Sequence, residues 1–294
     1  MKQLAAICLA ALLLTGCATS PRYHYDVRQD LGIYFTNADA VIEQIRGAMR
    51  RRDGLVTITY QSHRDNMEAL GTIVRELMEC ALSETDSPEE GDYLRQQYGG
   101  YDMHYSYRVQ DGLYCYEITI TPQYYTTAAQ EEKVTARVQS LLAEMDGDAS
   151  DLDKVKCIYE LVKANTRYDE VHAKNPNHHL KTTAYAALIQ GQAVCQGYAV
   201  AMYRLLRECG VNARVITGTA DGEPHAWNLV ELDSVYYNLD VTWDDERGTQ
   251  DYFLKSDADF TDHTRDAAYR TSTFYDIYPM AAESWSLPRK EQLS

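Results

Sequence analysis

Apolar residues recur at helical spacing in several long stretches of this chain and at alternate positions in shorter ones. Ala40, Val41, Ile45 and Ala48 predict a helix over "NADAVIEQIRGAMRRR", capped by Asn37 or Asp39. "LVTITY", residues 55–60, reads as a strand, and Met67, Leu70, Ile73, Val74 and Leu77 return to a helical period. In "MHYSYRVQDGLYCYEITI" the Asp111-Gly112 pair marks a tight hairpin turn. Pairing outward from it sets Met103, Tyr105, Tyr107 and Val109 opposite Ile120, Ile118, Tyr116 and Tyr114 on one face. His104, Ser106, Arg108, Glu117 and Thr119 fall on the other, wet face. The α-β-α-β-β order predicts a small N-terminal α+β domain with an antiparallel hairpin over residues 37–146. Eight tyrosines lie between Tyr98 and Tyr125. The alternation reads them as a half-buried sheet face rather than a platform for sugars or peptides.

A capping box, Thr127 to Gln130, opens the next helix; "DGDAS" breaks it, and Ser150 caps "DLDKVKCIYELVKAN". The acidic loop 146–150 is the expected boundary of a second α+β domain, residues 147–270, followed by a C-terminal tail, 271–294. Ala199, Met202, Leu205, Leu206 and Cys209 follow Cys195 by threes and fours, so Cys195 starts a helix and Cys209 lies in its packed stripe. Residues 225–232 and 235–241 read as strands around Asp233-Ser234. A two-residue turn pairs Leu232 with Val235, Trp227 with Asp240 and Ala226 with Val241. His225, Trp227, Asp240 and Thr242 then share a face, with His225 diagonal to Asp240 and within side-chain reach.

Chemistry enters with "IQGQAVCQGYAVAM", where Cys195 stands between Gly191 and Gly197 at the start of that helix. A helix N-terminus favours a thiolate, and a thiolate within reach of a histidine is a usable nucleophile. His225 supplies that partner, and Asp240 the carboxylate that holds an imidazole in one tautomer. The stretch from "IYELVKANTRYDE" through "AYAALIQGQAVCQGYA" and "HAWN" to "DVTWDD", about residues 157–255, resembles the transglutaminase-like superfamily in its bacterial secreted branch. The resemblance implies a papain-like core with Cys195 as nucleophile, His225 as base and acid, and Asp240 as orienter. It also implies amide chemistry through a thioester acyl-enzyme, ended by water or by an amine, with no cofactor. The Cys195 N–H is one expected oxyanion donor, and Gln190, Gln196 or Tyr185 could supply another. Trp227 and Trp243 are expected to flank the cleft or to pack in the core.

Composition narrows the setting. "MKQLAAICLAALLLTGC" has a basic start, an apolar run and small residues before Cys17, the pattern of a secretory signal. "LTGC" resembles the lipobox of bacterial lipoproteins, which implies lipidation of Cys17 and an exported, membrane-anchored protein on the extracytoplasmic side. Residues 18–36 then read as a tether. With Lys2 removed, 27 basic residues face 44 acidic ones, so the net charge moves from −16 to −17. Such a surface repels phosphate backbones and argues against a nucleic-acid partner. Besides Cys8 and Cys17 there are five cysteines, none in a CxxC pair, and an odd number leaves at least one thiol free or paired externally.

"EVHAKNPNHHLKTTA", residues 170–184, is basic and histidine-rich. His172, His178 and His179 could suggest a metal, but no carboxylate or thiol sits at ligand spacing, and a polar loop bordering the cleft is the expected reading. The leading expectation is thus a lipid-anchored thiol enzyme acting on protein or peptide amide bonds, hydrolysis preferred to cross-linking. A non-catalytic surface binding protein on the same fold is the alternative, and a zinc-binding lipoprotein using the 172–179 histidines a third.

Overall fold

The computed structural model describes residues 8–10 and 37–286, so Cys17, the 18–36 segment and most of the expected leader lie outside it. The chain divides into two units, residues 1–131 and 132–294. The division falls earlier than the 146–150 loop, because residues 132–142 continue a helix opened by the capping box. Among the described residues no helix is long and apolar enough to cross a membrane.

In the first unit, strand β1 (Cys8–Ala10) is followed by helix α1 (Ala38–Arg50), β2 (Val56–Ser62), α2 (Leu70–Ala81) and a turn of helix, α3 (Asp92–Arg95). The hairpin β3 (Tyr98–Gln110) and β4 (Leu113–Tyr124) completes it, in an antiparallel sheet of order β1-β3-β4-β2. Asn37 is the cap of α1, its side chain accepting the Ala40 N–H at 3.3 Å. The hairpin has the expected register: Met103 faces Ile120, Tyr105 Ile118, Tyr107 Tyr116 and Val109 Tyr114. Asp111 and Gly112 both take positive φ, as a two-residue turn between right-twisted strands requires. Ile118 and Ile120 pack against Ile45 and Met49 of α1 and Ile73, Val74 and Leu77 of α2 in one core. Arg46 is buried within it, its guanidinium donating to the carbonyls of Cys80 at 2.7 Å and Ala81 at 3.0 Å. It thereby satisfies acceptors that the end of α2 leaves open.

Helix α4 (Ala128–Leu142) leads into the second unit, which continues with α5 (Asp151–Asn165). The Thr127–Gln130 capping box forms in both directions, at 2.8 and 3.3 Å, and Ser150 accepts the Asp153 N–H at 3.2 Å. Two short parallel strands, β5 (Arg167–Tyr168) and β6 (Gln192–Ala193), lead into α6 (Cys195–Glu208). An antiparallel sheet of order β10-β7-β8-β9 follows, from β7 (Ala213–Ala220), β8 (Glu223–Leu232), β9 (Val235–Leu239) and β10 (His263–Arg265). Helix α7 (Val241–Arg247) follows β9, and α8 (Ser272–Ile277) lies near the end. Both units mix helices with antiparallel sheet, an α+β protein.

One expectation needs correction here. The turn at Asp233-Ser234 is the two-residue one, with φ of 52° and 66°, and Leu232 does pair with Val235. The strand nevertheless stops at Leu239, and Asp240 caps a helix instead of facing Trp227 in the ladder. Within the expected C-terminal tail, Phe274 is 1% exposed in a core with Trp227 and Leu229, and Ala281 N–H bonds the Tyr236 carbonyl at 2.9 Å.

Candidate active site

Cys195 enters from the first turn of α6, where the leading N–H groups have no intrahelical acceptor. The glycines around it serve backbone geometry. Gly191 ends a π-turn, residues 186–190, in the left-handed region at φ 73°. A Cβ on Gly197 would meet the Ala193 Cβ at 2.7 Å and the Lys181 carbonyl oxygen at 2.8 Å. Only glycine lets the segment before Cys195 pass that close.

His225 stands on β8 and Asp240 at the cap of α7, and ending the strand early brings the two together. His225 Nε2 lies 2.7 Å from Asp240 Oδ2. With Nε2 engaged by the carboxylate, Nδ1 is the nitrogen left for the thiol. Burial works against a charged imidazole, but the Asp240 carboxylate, with the Cys195 side chain acting in the same direction, outweighs it and pushes His225 up to about 10. Asp240 is fully buried, which raises a carboxyl; the two imidazoles bonded to it more than reverse that and hold it below the usual carboxylate range.

The second imidazole is His263, which sequence reasoning missed. Its Nε2 lies 3.1 Å from the same Asp240 Oδ2, and its Nδ1 lies 2.8 Å from Asp262 Oδ1. Tyr252 donates to Asp262 at 2.7 Å, extending the chain of bonds outward. Asp240 Oδ1 accepts the N–H groups of Thr242 at 3.0 Å and Trp243 at 3.2 Å. Both carboxylate oxygens are therefore saturated, as a buried anion requires. No local pattern announced His263, because β10 is three residues long and reaches the site only by pairing with β7. A polar cavity of about 190 Å³ is lined by His263 with Trp227, Asn238, Phe260, Arg265 and Tyr275, apart from Cys195 and His225.

The remaining candidates scatter. Trp243 is half-buried, its ring 5.5 Å from that of His225. Trp227 is 1% exposed and gives its N–H to Asn238 at 3.2 Å, a core residue that lines the cavity beside His263. Gln190 is exposed at the end of the π-turn, Tyr185 is half-buried at its start, and Gln196 follows Cys195 on α6. Tyr168, unmarked in the sequence, pairs with Ala193 and is pushed up to about 12 chiefly by burial. Glu246 is raised by burial and by Asp240, and Glu170 acts on both it and Tyr168, giving the site an acidic border. Cys209, by contrast, is pushed up to about 11 chiefly by burial, and so is a poorly ionised thiol. Among the described residues no disulfide joins any of the five cysteines from Cys80 onward. In the histidine-rich loop the structure does supply a carboxylate: Asp169 lies 2.9 Å from His172 Nδ1.

A helix that presents a cysteine to a sheet carrying a carboxylate-held imidazole is the architecture of thiol enzymes. Residues 139–241 match the family model "Transglutaminase-like superfamily". Solved structures with similarity include a transglutaminase at 23% identity and TM-score 0.35, covering 47% of this chain and 43% of that one. A candidate cysteine protease from Cytophaga hutchinsonii has 12% identity and TM-score 0.33, covering 57% and 69%. A candidate protease from Parabacteroides distasonis has 12% identity and TM-score 0.26, covering 49% and 37%. The chain thus spans less than half the length of the first of these. No curated protein matches it.

Proposed function

We propose that the protein is an extracytoplasmic, lipid-anchored thiol enzyme that opens protein or peptide amide bonds, with Cys195 as nucleophile, His225 as acid and base, and Asp240 as orienter. The observation that carries this reading is the His225 imidazole held 2.7 Å from the buried Asp240 carboxylate, with Cys195 acting on the same imidazole. Cys195 Sγ attacks the amide carbonyl carbon, and the C–N bond breaks as His225 passes its proton to the departing amine. A thioester on Cys195 remains. Water, giving a proton to His225, adds to that carbonyl and releases the acid; an amine in its place gives a new amide. Hydrolysis is the preferred outcome, since water always reaches the site. The Cys195 N–H at the start of α6 supports the oxyanion. The anchor rests on the "LTGC" pattern at Cys17.

The test is mass spectrometry of a defined peptide mixture incubated with the protein and an added primary amine. Cys195-dependent cleavage or amine incorporation, absent in Cys195→Ala and His225→Ala, is expected; products that persist in Cys195→Ala would overturn the assignment. The ratio of acid to amide product separates peptidase from transferase. Labelled fatty acid recovered on the wild-type chain and lost in Cys17→Ala tests the anchor.

A further inference from the structure

The loop between β5 and α6 carries a second cluster that the proposed amide chemistry does not use. One ligand atom each from Asp169, His172 and His178 lies within 4.8 Å of the others. His172 Nδ1 sits 2.9 and 3.1 Å from the two Asp169 oxygens, and the His172 and His178 rings stack at 4.2 Å between centroids. Asp169 is 4% exposed, while the His172 side chain is 42% exposed, so the cluster has a fixed floor and an open mouth.

The loop backbone is built independently of any ion. Lys181 Nζ donates to the carbonyls of His172 and Ala173, each at 2.7 Å, and of Asn175 at 2.8 Å. The His172 N–H bonds Asp169 Oδ1 at 3.0 Å. The donors are therefore held by the chain itself. Two imidazoles on one carboxylate form a donor set suited to a borderline ion, while calcium and magnesium prefer all-oxygen sets.

We propose that Asp169, His172 and His178 bind one borderline divalent transition ion, such as zinc, with a remaining position open to water. Three protein ligands and an open position is the pattern of a reactive rather than a closed structural site. The ion would also brace the nucleophile. Asp169 N–H bonds the Ala193 carbonyl at 2.9 Å, and Val194 N–H bonds the Lys181 carbonyl at 3.0 Å. Both ends of the loop are thus stitched to the residues that lead into Cys195.

The experiment uses the full chain carrying Cys195→Ala, which removes the thiol that could pair with His225 as a rival site. Chelator-stripped protein is titrated with Zn²⁺ and with Co²⁺, reading bound metal, the cobalt absorption bands and the melting temperature. One equivalent bound through nitrogen and oxygen donors, with a rise in melting temperature, is expected. Adding His172→Ala or His178→Ala should weaken binding at least tenfold and abolish the rise, with an unchanged far-ultraviolet spectrum. Adding His263→Ala should leave the binding unchanged. Absence of stoichiometric binding would overturn the proposal. So would an ion indifferent to His172 and His178 but lost with His263, which would place it on the His225–Asp240–His263 group instead.

Discussion

Asp240 divides its carboxylate between two tasks: one oxygen accepts both imidazoles and the other the first N–H groups of α7. Asp240→Asn keeps the size and an oxygen for the helix cap, but turns an NH₂ donor toward the imidazoles. The His225 Nε2–H then loses its acceptor, and the tautomer that leaves Nδ1 for Cys195 is no longer enforced. Turnover is expected to fall by roughly 10²–10⁴-fold, the range general acid–base and triad losses span. The His225 ring-proton titration, followed by NMR, should move down from about 10 toward the ordinary imidazole range, because the largest upward influence is gone. An unmoved midpoint would mean that Asp240 does not set the state of His225. A second expectation belongs to the thiol. Alkylation of Cys195 near pH 7 should slow by roughly tenfold or more in His225→Ala, whereas Cys209, suppressed by burial, should stay unreactive in both.

The strands and helices around this site were legible to different degrees. The Asp111-Gly112 hairpin was readable to the residue because a period of two and a turn demanding positive φ leave one register. Cys195 at a helix start followed from the same kind of local signal. The partnership of His225 and Asp240 was readable too, although through a ladder pair that does not form. "YYNLDVTW" continues an apolar alternation past Asp240, and the side-chain cap that ends the strand competes with it only once the helix has somewhere to pack. His263 was unreadable, since a three-residue strand acquires meaning only from β7. The Asp169–His172–His178 cluster was half-readable: the histidines stood out, but the carboxylate three residues earlier joined them only through the fold of the loop.

The β7–β10 pairing depends on one residue. A Cβ on Gly218 would meet the Thr264 carbonyl oxygen at 2.1 Å and the Arg265 Cα at 2.9 Å. Gly218→Ala should therefore drive β10 away and withdraw His263 from Asp240, costing about 1–3 kcal/mol by overpacking and lowering turnover with it. Gly54→Ala, where nothing lies within 4 Å of the new Cβ, is the control and should be nearly silent. Equal melting temperatures for the two variants would show that β10 is not held this tightly.

At the scale of the whole molecule, the buried ionic groups give stability a pH dependence whose sign can be worked out. Asp240 is held low by His225 and His263, Asp169 by the hydrogen bonds of His172, and Asp262 by Tyr252 and His263, so their contribution is present above the ordinary carboxylate range and is lost as pH falls through their lowered values. Asp244, raised by burial, opposes them on that limb. His225 acts on the alkaline side. Its folded value of about 10 exceeds the ordinary ~6.5 of an imidazole, so its stabilisation is complete below ~6.5 and shrinks as pH rises. It is gone once pH has passed about 10. In that window one proton is linked to unfolding, a slope of at most about 1.4 kcal/mol per pH unit. Half-buried tyrosines such as Tyr252, raised to about 12, add a similar loss only from ~10 upward. Cys209, raised to about 11, adds a loss of its own from ~8.5 upward, so the window from ~7 to ~8 isolates the histidine. Wild-type melting temperature should decline steadily across it, while His225→Gln, lower at the start of the window, should run nearly flat until Cys209 and then the tyrosines begin to ionise. Parallel curves for the two proteins would place the proton elsewhere and remove the imidazolium–carboxylate pair from the account of the site.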